Sequence, residues 1–154
     1  MPSPRALLLT SLTAALLSAV PAHAQTITGR ATVVDGATLE VRGTRIRLAG
    51  IDQVADDHVC ERTGDESWRC GPRALNALEE FLEEIIVSCA VRERDLVGQL
   101  VATCSSSGID LGLWLVRNGL AQAASAPQNT RYRQAEAEAK AARRGMWSVP
   151  GAVP

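Results

Sequence analysis

The sequence predicts a mainly β protein of the α+β class: a five-stranded Greek-key barrel of the OB type with three helices. Three observations point there. Apolar residues alternate in five short runs and recur at helical spacing in three others, in the order β-β-β-α-β-β-α-α. Turn dipeptides separate the first three runs closely enough to make one meander. A single helix then divides those three strands from the last two, which is the division of an OB barrel.

Ahead of the first strand stands a segment of different character. Arg5 is followed by the 15-residue apolar run "ALLLTSLTAALLSAV", and "AHA" places small residues before Gln25. This is the pattern of a secretory signal peptide. The run is shorter than the roughly 20 residues a membrane span needs. The expected organisation is a signal peptide over 1–24 cleaved after Ala24, a domain over 25–149 and a loose tail over 150–154. The expected location is periplasmic or secreted, with no membrane association after cleavage.

The first strand is "ITGRATVV" (27–34), rich in β-branched residues. "TLEVR" (38–42) and "RIRLAGI" (45–51) alternate more strictly, with Asp35-Gly36 and Gly43-Thr44 at the turns. A polar loop over 53–70 holds Cys60 and Cys70. Gly71-Pro72 opens a helix over 72–85, proline being suited to a first helical turn. Leu75, Leu78, Leu82 and Ile85 make its apolar stripe, and Glu79, Glu80, Glu83 and Glu84 its solvated side. "IVSCAVRER" (86–94) and "QLVATCS" (99–105) are strands joined by "DLVG". Asp110 caps a short helix that Gly119 ends. A last helix runs from Thr130 to Arg144, and Trp147 after it packs back on the core.

Four cysteines in a chain with an export signal predict two disulfides. Their spacings do not match the paired knuckles of a zinc site. With the hairpin turn centred between Leu96 and Val97, Cys89 and Cys104 fall directly opposite each other, about 4.5–5.5 Å apart at Cα. That is within disulfide range. Cys60–Cys70 follows by elimination.

Charge and aromatic content bear on partners. The chain has 16 basic and 17 acidic residues; without Arg5 the balance is 15 against 17, a net −2. No broad basic face is available to draw nucleic acid non-specifically. The aromatic residues are Trp68, Phe81, Trp114, Tyr132 and Trp147. Three of these belong on or against helices, which leaves a poor platform for stacked bases. Nucleic acid is therefore not the favoured partner, and the partner itself is not named by the sequence.

"VVDGATLEVRGTRIRLAGID" closely resembles the first block of the staphylococcal nuclease (thermonuclease) family, V-x-D-G-D-T-L-x-V-x-G-x-x-I-R-L-x-G-I-D-A-P-E. "DLVGQLVATC" resembles its second block, and "LWLVRNGLA" and "AEAKAARRGMW" its third and fourth. The likeness spans residues 28–148. It implies a calcium-dependent phosphodiesterase acting on DNA and RNA, with two carboxylates on the metal, a glutamate as general base and two arginines on the phosphate.

Carried over residue by residue, two of these five groups remain. Asp52 matches the second calcium ligand and Arg47 the first phosphate arginine. The first calcium ligand falls on Ala37, the base on Ala55 behind Val54, and the second arginine on Gln99. Calcium takes six to eight oxygen ligands, so one carboxylate is a poor site. Losing a general base costs about 10²–10⁴ in rate. Losing a phosphate arginine costs about 10³–10⁵. The expectation is an exported domain with impaired or absent catalysis that binds a ligand or partner through the vestigial cleft, without a cofactor. Ala37, Ala55 and Gln99 should lie beside Asp52 and Arg47, and those two either pair with each other or hold a ligand. The alternative is a calcium-dependent endonuclease with relocated groups, for which Asp56, Asp57, His58 and Arg94 are the candidates.

Overall fold

Strands β1 (Thr26–Asp35), β2 (Thr38–Val41) and β3 (Thr44–Leu48) form the expected antiparallel meander. The computed structural model describes residues 25–53, 59–61, 67–83 and 85–148, with backbone alone for 59–61 and 67–71. Asp35 builds the first turn: its Oδ1 accepts the Ala37 N–H at 2.8 Å. The second turn holds Arg42 and Gly43 at φ of 52° and 72°, the left-handed pair whose twist suits a hairpin.

β3 ends at Leu48, three residues short of the predicted limit. Gly50 takes φ 79°, and the chain turns there. Ile51–Asp52 instead forms a separate two-stranded ribbon with Gln122–Ala123. Ile51 is out of phase with Ile46 and Leu48, so the two-residue period breaks at Ala49-Gly50, where the predicted strand was carried on.

β4 (Ile86–Arg94) and β5 (Leu100–Ser106) complete the barrel. β4 pairs antiparallel with both β1 and β5. β5 then pairs parallel with β3, setting Ile46 opposite Leu100, Arg47 opposite Val101 and Leu48 opposite Ala102. The circuit β3-β2-β1-β4-β5-β3 is a closed five-stranded mixed barrel. Alternate residues point inward and are buried: Leu39 and Val41, Ile46 and Leu48, Val87 and Cys89, Leu100, Ala102 and Cys104. Each large aliphatic side chain so buried contributes about 1.5–3 kcal/mol.

Helix α1 (Cys70–Leu82) lays Ala74, Leu78 and Leu82 against this core, a stripe at four-residue steps. The helix was expected to reach Ile85. It stops at Leu82, and Ile85 is exposed. Leu75 is only half-buried, so the stripe runs through Ala74 rather than Leu75. Phe81 meets Trp114 with ring centroids 4.7 Å apart, joining α1 to α2 (Leu111–Arg117). Asp110 caps α2 as expected, accepting the Leu113 N–H at 3.0 Å.

After α3 (Thr130–Ala141), shorter than the sequence suggested, the chain folds back against the end of α2. Gly119 and Gly145 make that closure possible. Both have positive φ, of 66° and 53°. A Cβ on Gly119 would overlap the Arg144 carbonyl, and one on Gly145 the Gly119 carbonyl. The Met146 N–H donates to the Gly119 carbonyl at 2.9 Å, and Met146 is buried. Trp147 lies half-buried beside it, with the Lys140 ammonium 4.3 Å from its ring centroid.

Cys89 and Cys104 are register partners on β4 and β5 and are bonded, with their Cα atoms 4.0 Å apart. This is closer than the expected 4.5–5.5 Å, at the tight end of antiparallel pairing. The backbones of Val59–Glu61 and Ser67–Arg69 pair with Cys60 opposite Trp68. The side chains of Cys60 and Cys70, and so the expected bond between them, lie outside the described residues. So do residues 1–24 and 149–154. Among the described residues no helix is long and apolar enough to cross a membrane.

Two stability measurements check this packing by denaturant titration. Replacing both Cys89 and Cys104 by alanine should cost about 3 kcal/mol, the loop-closure value for a 15-residue separation. Gly119→Ala should cost more than about 1 kcal/mol, because it combines a strained φ with a backbone overlap.

Candidate ligand cleft

The barrel's inward alternation dictates what faces out. Arg47 stands between buried Ile46 and Leu48, so its side chain leaves the opposite face of β3. Its register partner Val101 shares that face, and so does Thr103 two residues on. On β4 the alternation is interrupted. Val91 pairs with Ala102 and Glu93 with Val101, which leaves Arg92 as the extra residue of a β-bulge. Two residues then oppose one, and Arg92 and Glu93 both face outward with Val101.

These side chains floor a cleft of about 530 Å³. Its rim is Ala49–Asp52, and its far wall is the segment from Ala124 to Tyr132. Arg47 and Arg92 supply its cations, Asp52 and Glu93 its anions. Arg92 is held in place by its Nε, which donates to Thr103 Oγ1 at 3.1 Å.

The far wall is fixed by two polar side chains. Asn129, buried, donates through Nδ2 to the carbonyls of Gly50 and Ala124, both at 2.8 Å. It precedes α3 without capping it. Tyr132, in the first turn of α3, places its hydroxyl 2.9 Å and 2.8 Å from the two carboxylate oxygens of Asp110. Arg131 adds a cation 3.6 Å from Asp110 Oδ2. Gly50 and Gly112 leave room for the Tyr132 ring; a Cβ on either would press it at 3.2 Å. Burial, followed by the hydrogen bond to Asp110 and the charge of that carboxylate, raises the phenol well above its ordinary range. The tyrosine in the cleft is therefore a fixed, neutral ring.

Of the residues singled out in the sequence, Arg47 and Asp52 both line this cleft. Among the described residues no ion pair joins them. Ala37 and Gln99 do not line it. Ala37 is 2% exposed, packs in the core cluster and accepts the Leu48 N–H at 2.8 Å. Gln99 is half-buried, with its N–H on Asp95 Oδ1 at 2.9 Å. Val54, Ala55, Asp56, Asp57 and His58 lie outside the described residues. Arg94 is turned to its own hairpin: its Nη1 donates to the Gly98 carbonyl at 2.9 Å. It lines a neighbouring depression of about 430 Å³ that shares Arg47 and Glu93 with the cleft and is edged by the exposed Leu96 and Val97.

Arg92 is the cleft residue that the sequence reading missed. Strict alternation groups it with Arg94, and nothing in "AVRERD" marks the bulge. As for metal, among the described residues no three His, Cys, Asp or Glu side chains come together in a way that would hold an ion. The cleft carboxylates, Asp52 and Glu93, share their surface with two guanidinium groups. The described donor set does not fit calcium.

Comparison with known proteins adds the family. Residues 45–149 match the staphylococcal nuclease homologue family. The chain belongs to that family. The curated protein named succinoglycan biosynthesis protein ExoI, from Rhizobium meliloti (strain 1021), is 32% identical over 138 residues, covering 88% of this chain and 72% of that protein. Arg47 and Asp52 line the cleft of this chain's barrel, and Ala37 and Gln99 do not.

Tyr132 is the chain's one tyrosine, so its ionisation can be followed alone by tyrosinate absorbance. It should titrate well above the ordinary value of about 10. A raised folded pKa means that the stabilisation is fully present below the unfolded value and is lost as pH rises through the folded one. Tyr132→Phe should abolish that alkaline transition and cost about 1–3 kcal/mol, because it strips a partner from a largely buried carboxylate.

Proposed function

We propose that this chain is an exported binding module of the staphylococcal nuclease family that lacks phosphodiesterase activity and holds an acidic glycan in the cleft around Arg47 and Asp52. The observation that carries this reading is Arg47 itself. It is half-buried on the cleft floor and, among the described residues, has no carboxylate partner. A guanidinium so placed favours an anionic ligand. The hydrolytic groups of the family pattern are not beside it: Ala37 is in the core, and Ala55 carries no base.

Three further points support the reading. The leader-like start and the Cys89–Cys104 bond suit an oxidising compartment. The related Rhizobium meliloti protein is named for the biosynthesis of succinoglycan, which points to a polysaccharide rather than a nucleic acid. The cleft's charges also alternate in sign, Arg47 and Arg92 against Asp52 and Glu93. That mixture suits a ligand with isolated anionic groups among hydroxyls, whereas a phosphodiester backbone needs a continuous positive track.

The second reading, a calcium-dependent endonuclease with relocated groups, rests on Asp56, Asp57, His58 and Arg94. Arg94 is engaged with Gly98, which weighs against it. Incubation of the oxidised protein with DNA and RNA, with and without calcium, separates the two. The expected outcome is no cleavage above that of Arg47→Gln. Calcium-dependent cutting that Arg47→Gln abolishes would establish the endonuclease instead. In parallel, Arg47→Gln should weaken binding of an acidic oligosaccharide by about 1.5–3 kcal/mol, the value of a hydrogen bond to a charged group.

A further inference from the structure

We propose that Arg92 is the second arm of an anion clamp: with Arg47 it brackets a single carboxylate of an acidic sugar, from a strand other than the one on which the family pattern carries its second arginine. The inference rests on the acidic-glycan reading of the cleft and adds to it the recognition element.

Four observations support the clamp. Arg92 follows inward Val91 and so lies on the outward face that holds Arg47, Val101 and Thr103, and the β-bulge there turns Glu93 to the same face. Bulges recur where a strand must re-aim a side chain at a site. Next, Thr103 Oγ1 engages Arg92 through Nε, so the side chain is fixed while its two terminal nitrogens have no partner among the described residues. An arginine held at Nε presents its planar fork with little further ordering, and a fork matches the two oxygens of a carboxylate. Arg92 also lines the same cleft as the Tyr132 ring of the far wall. Finally, the neighbouring arginine is excluded from the role, because Arg94 is bonded to Gly98.

The ligand class follows from what surrounds the clamp. Two guanidinium groups are offset by Asp52 and Glu93, so the cleft does not accumulate positive charge. One carboxylate satisfies it, and further anions close by meet Asp52 and Glu93. Those two carboxylates accept hydrogen bonds from hydroxyls, and the exposed Gln128 on the far wall offers both donor and acceptor. The Tyr132 ring supplies an apolar surface fixed by its bond to Asp110. A carboxylated sugar presents that set: one anion, several hydroxyls and a C–H face.

Isothermal titration of the oxidised full domain tests this with trigalacturonate, its uncharged methyl ester and a single-stranded oligonucleotide as probes. The expected result is binding of the acid and not of the ester. Arg92→Gln should lower affinity for the acid on the order of tenfold or more. Arg92→Lys should lose most of the same amount, since it keeps the charge but not the fork. Thr103→Val should weaken binding in the same direction by freeing the side chain, and Gln99→Ala should leave it unchanged. Wild-type affinity in both Arg92 variants, with affinity lost in Arg47→Gln, overturns the clamp and leaves the cleft reading standing. Equal affinity of the unmodified protein for acid and ester, or binding of neither, overturns the acidic-glycan reading and the clamp with it. Arg92-dependent binding of the oligonucleotide in place of the acid overturns the ligand class.

Discussion

The parallel pairing of β3 with β5 is the contact on which the rest of this molecule depends. It joins strands that are far apart in sequence and turns an open sheet into a barrel. Three register pairs do it, Ile46 with Leu100, Arg47 with Val101 and Leu48 with Ala102. The first and third bury aliphatic side chains inside; the middle pair faces outward. Closure and cleft are thus alternate outcomes of one ladder. The pairing cannot slip by one residue, because that would move Arg47 into the core and Ile46 into water. The Cys89–Cys104 bond reinforces the same arrangement from the other side, fixing β4 on β5 two pairs beyond Val91 and Ala102.

Much of this was legible from the residues, and the reasons differ by element. The Cys89–Cys104 pair was expected from a turn centred between Leu96 and Val97; the pairs next to the turn, Arg94 with Leu100 and Glu93 with Val101, are offset by one from that register, and the bulge at Arg92 restores it before the cysteines. The barrel followed from alternation and order, and the family motifs named it. What was not legible required knowing where a period breaks. Alternation behind inward Val91 turns Arg92 outward without any bulge; what the run hides is the bulge itself, which pairs Val91 and Glu93 with consecutive residues of β5 and turns Glu93 outward as well. The end of β3 was overrun, although Ile51 is out of phase with Ile46 and Leu48 and the turn at Gly50 lies where that phase changes. Ala37 was assigned to the cleft by spacing, yet its small side chain packs in the core, where the family's carboxylate could not lie without a polar partner. The frame predicts a position along the chain; the residue that occupies it decides which way the position is used.

The far wall of the cleft is held in shape by hydrogen bonds between its own side chains and backbone. Asn129 ties the wall to the rim through Gly50 and to itself through Ala124, and the Ala124 N–H returns to the Gly50 carbonyl at 3.0 Å. Asp110 serves two elements at once, capping α2 and receiving the Tyr132 hydroxyl from α3. Burial and the hydrogen bond to Asp110 raise the Tyr132 phenol, so this ring of the wall stays neutral through the physiological range.

These features bear on the binding role proposed above. The resemblance to the family would place the cleft carboxylates on a metal and the arginines on a phosphate. Ala37 is instead packed in the core cluster, and the sequence has alanine at 55. Under the proposal Arg47 still serves, since a guanidinium on a cleft floor attracts an anion whether or not a metal is near. A lone arginine gives attraction without orientation. In the proposed clamp Arg92, with Thr103 to hold it, adds the second point that orientation needs. It lies on the outward face of β4, so it can serve a ligand without disturbing the β3–β5 ladder or the inward residues that carry the fold.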